Sequence, residues 1–158
     1  MTSSDTASNN SDVSTSMLLE HVKRQAGLED LYDARDIAEV VFRTLRDMMT
    51  TEAADRVAVE LEGKLLTTGD STQDTLVSIW KDTNWVVRLL SRIRPPLAID
   101  TSTFLFRIGQ EAGLSRGVSP EEATEAVFSA LKRELSSDRQ QEIATFLPQP
   151  LRQAWQAA

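Results

Sequence analysis

One histidine, His21, and no cysteine are found among the 158 residues. Thiolate zinc sites, cysteine nucleophiles and disulfides therefore lack their side chains, and histidine triads or imidazole-rich metal sites have one candidate at most. His21 has no base or nucleophile at a telling spacing, falls opposite Leu19 and Val22, and reads as a surface side chain. Carboxylates are the remaining chemistry. Glu29, Asp30, Asp33 and Asp36 cluster, and a hard cation such as calcium takes several oxygen ligands. Their spacing departs from an EF-hand loop, which needs a glycine at its sixth position and a closing glutamate. The plainer account makes Asp33 and Asp36 the cap and first-turn charges of a helix. Glu39 and Glu125 could face inward on a bundle, but a di-metal site there wants Glu-x-x-His partners, which the chain does not have. Arg43, four residues after Glu39, offers a helix-surface ion pair instead. Gly109, Gly113 and Gly117 lie at a helix end rather than after a strand, so they form no phosphate loop. No cofactor is implied.

A different chemistry, recognition, is suggested by Lys81, Trp85, Arg88 and Arg92. Spacings of four, three and four place them on one narrow arc of a helix. A tryptophan among cations suits an acidic partner helix, or phosphates. The competing reading is structural: cations complement the C-terminal end of a helix dipole, and Arg88 stacks over Trp85.

The elements that would position these residues come from an internal repeat. RQAGL at 24–28 returns as QEAGL at 110–114. Sliding the chain by 86 aligns residues 15–66 with 101–152 without a gap, and thirteen of 52 positions are identical. The matches, such as Leu19/Leu105, Gly27/Gly113, Phe42/Phe128 and Leu45/Leu131, fall on helix ends and apolar positions, as duplication of a folded unit requires.

Each copy reads as three helices. The first starts near Thr15 or Thr101, whose hydroxyls can cap it, and ends at Gly27 or Gly113, residues suited to a left-handed stop. The second starts at Ser119-Pro120-Glu121-Glu122 in copy two, a cap, a first-turn proline and a third-position acid. Asp33-Ala34-Arg35-Asp36 stands at the same register in copy one. Ala38, Phe42, Leu45 and Met49 follow at helical spacing. The third begins at Thr51 or Ser137 and runs to Leu61 or Leu147, stopped by Gly63 in copy one and by Pro148 and Pro150 in copy two. A last short helix carries Leu151 and Trp155. Between the copies, a long helix over 75–93 presents Leu76, Ile79, Trp80, Val86, Val87, Leu90 and Ile93 on a broad face. No segment alternates with a strand period. The expectation is an all-α fold of seven or eight helices: two three-helix repeats packed with a long central helix about an approximate internal twofold. The units are a disordered tail at 1–13, repeat one at 15–66, central helix and linkers at 67–100, and repeat two at 101–156, in one compact body.

The AGL helix end, the capped acidic helix running into Val-Phe-x-x-Leu, and the close Leu147-Pro148-Gln149-Pro150-Leu151-Arg152 together resemble the bacterial domain-of-unknown-function family 2267. The resemblance covers about 15–156. It implies bacterial origin and an all-helical fold, often with the unit carried twice. It implies no catalytic residue, so no role is carried over. Copy one has Leu61-Glu62-Gly63-Lys64-Leu65 where copy two has the Leu-Pro close.

The net charge of −7 favours solubility and repels nucleic acid on average. No apolar run approaches the roughly 18 residues of a membrane helix, and the N-terminal residues lack a secretory pattern. A cytoplasmic protein without membrane contact is expected. The leading functional expectation is a non-enzymatic interaction or regulatory module that binds a protein partner or itself. The alternatives are nucleic-acid or phosphoryl-ligand binding through the Trp85 face, and a carboxylate-only enzyme or cation-binding protein.

Overall fold

The computed structural model describes residues 19–68, 77–81, 96–114 and 117–158. Among them the chain is all-helical, as the periodicity requires, with eight helical segments and no strand. These are α1 (19–26), α2 (Leu31–Met48), α3 (Thr51–Thr68), a single turn α4 (77–80), α5 (Thr101–Glu111), α6 (Pro120–Lys132), α7 (Ser137–Thr145) and α8 (Gln149–Ala157). None of the described helices is long and apolar enough to cross a membrane. The expected tail at 1–13, the start of α1 near Thr15 and the central helix beyond Lys81 lie outside the described residues.

Helix ends follow local chemistry. Gly27 takes φ 65° and Gly113 φ 59°, the left-handed stops expected of the AGL motif. After Gly27, the Leu28 N–H donates to the Lys23 carbonyl at 2.9 Å and the Leu28 side chain is buried. At α6 the full capping box forms: Ser119 Oγ accepts from the Glu122 N–H at 3.1 Å, and Glu122 accepts from the Ser119 N–H at 3.1 Å.

Three boundaries differ from the sequence reading. The cap of α2 is Asp30, whose carboxylate accepts from the Asp33 N–H at 2.9 Å, so α2 begins nearly a turn before the Asp33 register. Asp100, not Thr101, caps α5, accepting from the Thr103 N–H at 2.7 Å. That bond, with the Thr103 and Ser102 hydroxyls, holds the Asp100 carboxyl below its usual range. Thr101 becomes the first helical residue, and its hydroxyl makes no hydrogen bond among the described residues. Gly63 does not stop α3, which continues to Thr68. A glycine stop is completed by an apolar residue folding back, as Leu28 does, and Gly63 is followed by Lys64.

The contacts between the halves join equivalent helices, as an approximate internal twofold requires. Helix α2 packs on α6, its repeat equivalent, and α3 packs on α7, its own. Equivalent elements touch only where they straddle the axis. The pair Arg56–Glu142, whose members are 86 residues apart and hence equivalent, marks that axis: Arg56 Nε donates to both Glu142 oxygens at 3.1 Å. The core runs through both halves, with Phe42, Leu45 and Leu61 in one and Phe104, Phe128, Leu131 and Ile143 in the other.

Two tryptophans extend the symmetry beyond the ungapped alignment. Trp80 meets Phe42 edge-on at 5.4 Å between centroids, and Trp155 meets Phe128 edge-on at 5.1 Å. Trp80 Nε1 donates to the Ala54 carbonyl at 3.1 Å, and Trp155 Nε1 to the Gln140 carbonyl at 3.0 Å. Residues 54 and 140 are themselves equivalent. The last-turn cations of the two central helices, Arg46 and Lys132, also equivalent, donate to the Trp80 and Trp155 carbonyls. Lys132 additionally lies 5.8 Å from the Trp155 ring centroid. The turn α4, expected as the start of the central helix, therefore also closes the first half as α8 closes the second.

Trp80→Phe and Trp155→Phe keep a ring but delete the buried N–H donor. Each is expected to lower unfolding free energy by about 1–2 kcal/mol, measured by urea denaturation. A clear loss at one site with none at the other would break the equivalence. Asp30→Ala is expected to cost about 1 kcal/mol through loss of the cap, by the same measurement.

Candidate functional site

The half-buried His21 on α1 faces α6 of the other half. Arg133 Nη1 lies 2.9 Å from His21 Nδ1, and Ser129 Oγ lies 3.1 Å from His21 Nε2. A guanidinium can only donate, so Nδ1 carries the lone pair and Nε2 the hydrogen. His21 then donates to the Ser129 hydroxyl. A general base acting on a serine needs its lone pair at the nitrogen facing that serine, so this arrangement does not activate Ser129. Burial first, then the positive charges of Arg133 and Arg24, lower the His21 pKa from 6.5.

The cluster has a twofold counterpart. Residues 21 and 133 are equivalent to 107 and 47, and Arg107 Nη1 lies 3.3 Å from Asp47 Oδ2. One end of the interface is thus clasped by an ion pair, and the other by a neutral histidine accepting from an arginine. Next to the ion pair, Arg43 reaches across from α2 to Glu111 at the end of α5. At the positions equivalent to Arg43 and Glu111 stand Ser129 and Gln25, which are shorter or uncharged.

An open cleft of about 290 Å³ lies there, between α1, α6 and α8. Gln25, Glu122, Glu125 and Ser129 form its polar rim, and Ala126 and Ala154 contribute to its apolar wall. Glu122 already accepts from the Ser119 N–H. Glu125 is exposed and makes no ion pair among the described residues.

Of Lys81, Trp85, Arg88 and Arg92, the last three lie outside the described residues. Lys81 is half-buried and its ammonium meets the Glu62 carboxylate. Among Glu29, Asp30, Asp33 and Asp36, Asp30 serves as the α2 cap, while Glu29 and Asp36 are exposed. No group of three metal-ligating side chains forms among the described residues. Glu39 pairs with Arg35, at 3.1 Å, rather than with Arg43, because Arg43 is directed across the interface to Glu111. His21 is not the isolated surface side chain its sequence neighbours suggest. Its partners lie 108 and 112 residues away, and only superposing the repeat on a packed twofold would have brought them together.

Residues 15–154 match the family described as Uncharacterized conserved protein (DUF2267). A search of curated proteins returned no match.

The His21 pKa direction fixes a sign. Below pH 6.5 the unfolded chain protonates His21 before the folded chain does, so folding stability falls as the solution is acidified. Well above 6.5 both states are neutral and the contribution is complete. Between about pH 7.5 and about pH 5.5, wild type is expected to lose more stability than His21→Gln, measured by urea midpoints. Parallel pH profiles for the two proteins would contradict the placement.

Proposed function

The chain belongs to the DUF2267 family, and on that premise we propose that it is a non-enzymatic helical interaction module. It is assembled from two tandem copies of one unit, sits in the bacterial cytoplasm, and binds a protein partner or itself. The observation that supports this reading is the clasp at His21. The chain's single imidazole, a serine hydroxyl and a guanidinium converge, yet they hold the halves together in an arrangement equivalent to a plain Asp47–Arg107 ion pair. The residues best equipped for acid–base chemistry serve assembly. Aromatic surface of the kind used in protein contacts is present as well: Tyr32 is 82% exposed and Phe106 66%.

The docking surface assigned to the partner is the basic, tryptophan-bearing face of Lys81, Trp85, Arg88 and Arg92.

The double substitution Trp85→Ala/Arg88→Glu tests the assignment. Immobilised wild type, in nuclease-treated extract of the source cell, is expected to retain a protein that the double variant does not. If self-association is the role, light scattering after size exclusion gives a larger mass for wild type than for the variant. Equal retention and equal mass would remove this face from the reading. Binding that disappears on nuclease treatment and falls steeply with salt would favour nucleic acid instead.

A further inference from the structure

The two edges of the interface between the halves are clasped at equivalent positions by different chemistry. At one edge Arg107 Nη1 lies 3.3 Å from Asp47 Oδ2. At the other, Arg133 Nη1 lies 2.9 Å from His21 Nδ1. Only the second contains an imidazole, the side chain whose charge changes near neutrality. The neutral ring accepts from Arg133 through Nδ1 and donates through Nε2 to Ser129 Oγ, 3.1 Å away. A further proton can enter only at Nδ1. The lone pair that receives Arg133 is then gone, and an N–H faces a guanidinium that itself only donates. Two positive charges then stand at hydrogen-bond range.

The surrounding charges do not relieve that conflict. Arg24, one turn further along α1, adds another positive charge. Lys23 on α1 pairs with Glu20 at 3.9 Å. On α6, Lys132 is turned to the Trp155 carbonyl, Glu122 accepts from the Ser119 N–H, and Glu125 lines the cleft beside Ser129. Glu134 follows Arg133 in the chain. Among the described residues the ring is hydrogen-bonded by Ser129 and Arg133, and by no carboxylate.

We infer that this edge is a proton-operated catch: adding a proton to His21 detaches Arg133 and lets α1 open from α6 more often, while the Asp47–Arg107 edge stays closed. The apolar contacts of Leu19, Val22 and Ala26 still seat α1, so the change is in how often it opens, and each opening uncovers those side chains. This goes beyond a loss of overall stability in acid, because it names the element that moves. It stands or falls independently of the Trp85 face.

The test is amide hydrogen exchange of the full chain at about pH 7.5 and about pH 5.5, in wild type and in His21→Gln. Glutamine can accept and donate without titrating. Both proteins share the same intrinsic exchange chemistry away from position 21, so the ratio of their rates reports opening. For α1 amides, the ratio of wild-type to variant rate is expected to rise roughly two- to tenfold from the higher to the lower pH, the scale of one hydrogen bond. For α5 amides it is expected to stay constant. A constant ratio at α1, or a ratio at α5 that rises with it, would overturn the inference. Arg133→Gln provides a second measurement that keeps His21 in place and so remains valid if His21→Gln does not fold. His21 is the single histidine, so its ring titration can be followed alone by proton NMR. Removing the facing guanidinium should raise the midpoint towards 6.5. An unmoved midpoint would show that the ring does not hold Arg133, and the catch would be lost.

Discussion

Neither half of this chain can cover its own central helix. Helix α2 buries residues on most of its circumference, from Ala34, Ile37 and Ala38 round to Val40, Val41 and Thr44. Helix α6 does the same through Ala123, Ala126, Val127, Phe128 and Ala130. The neighbours within one half leave part of that surface bare, and each large apolar side chain left in water forgoes about 1.5–3 kcal/mol. The two central helices cover one another instead, across a twofold that places α2 on α6 and α3 on α7. Everything else follows from that contact. The core is shared, with one buried cluster drawing on both halves. The tryptophans close the two outer ends, each against an equivalent phenylalanine.

Once the apolar contact sets the twofold, the polar residues at its edge are free to diverge. At one edge the equivalent positions hold Asp47 and Arg107, at the other Arg133 and His21. Both pairs satisfy their polar groups, one through charge and the other by using an imidazole lone pair. One turn further along, the long Arg43 of the first edge gives way to the short Ser129 of the second. A single change of side-chain length thus separates a filled corner from an open one, with no change in the helices that frame it.

The fold was legible because its signals are local and periodic. Phe42, Leu45, Phe128 and Leu131 recur at helical spacing, and all four are buried. The AGL stops and the Ser119 capping box depend on adjacent residues alone. The α2 start was misplaced because an ungapped alignment forces both copies to begin at the same register, whereas Asp30 gives α2 an additional turn. Equivalence of Trp80 and Trp155 was hidden by a change of spacing from 86 to 75 residues, since α3 has 18 residues and α7 has nine. The trace was there in Leu76-x-x-x-Trp80 and Leu151-x-x-x-Trp155. The His21 cluster and the cleft were not legible. They join α1 to α6 across the interface, and no local pattern encodes a contact spanning more than a hundred residues.

The Arg56–Glu142 pair joins two equivalent positions of opposite charge. Two copies of the first half, docked in this manner, would set Arg56 against Arg56. Two copies of the second would set Glu142 against Glu142, and Arg107 against Arg133. Like charges at that distance repel modestly near a surface, by about a kcal/mol or less each, but they act in concert and in every wrong pairing. The halves have become a lock and a key cut from one blank. Each half therefore pairs these charges better with the other half of the same polypeptide than it would with a copy of itself.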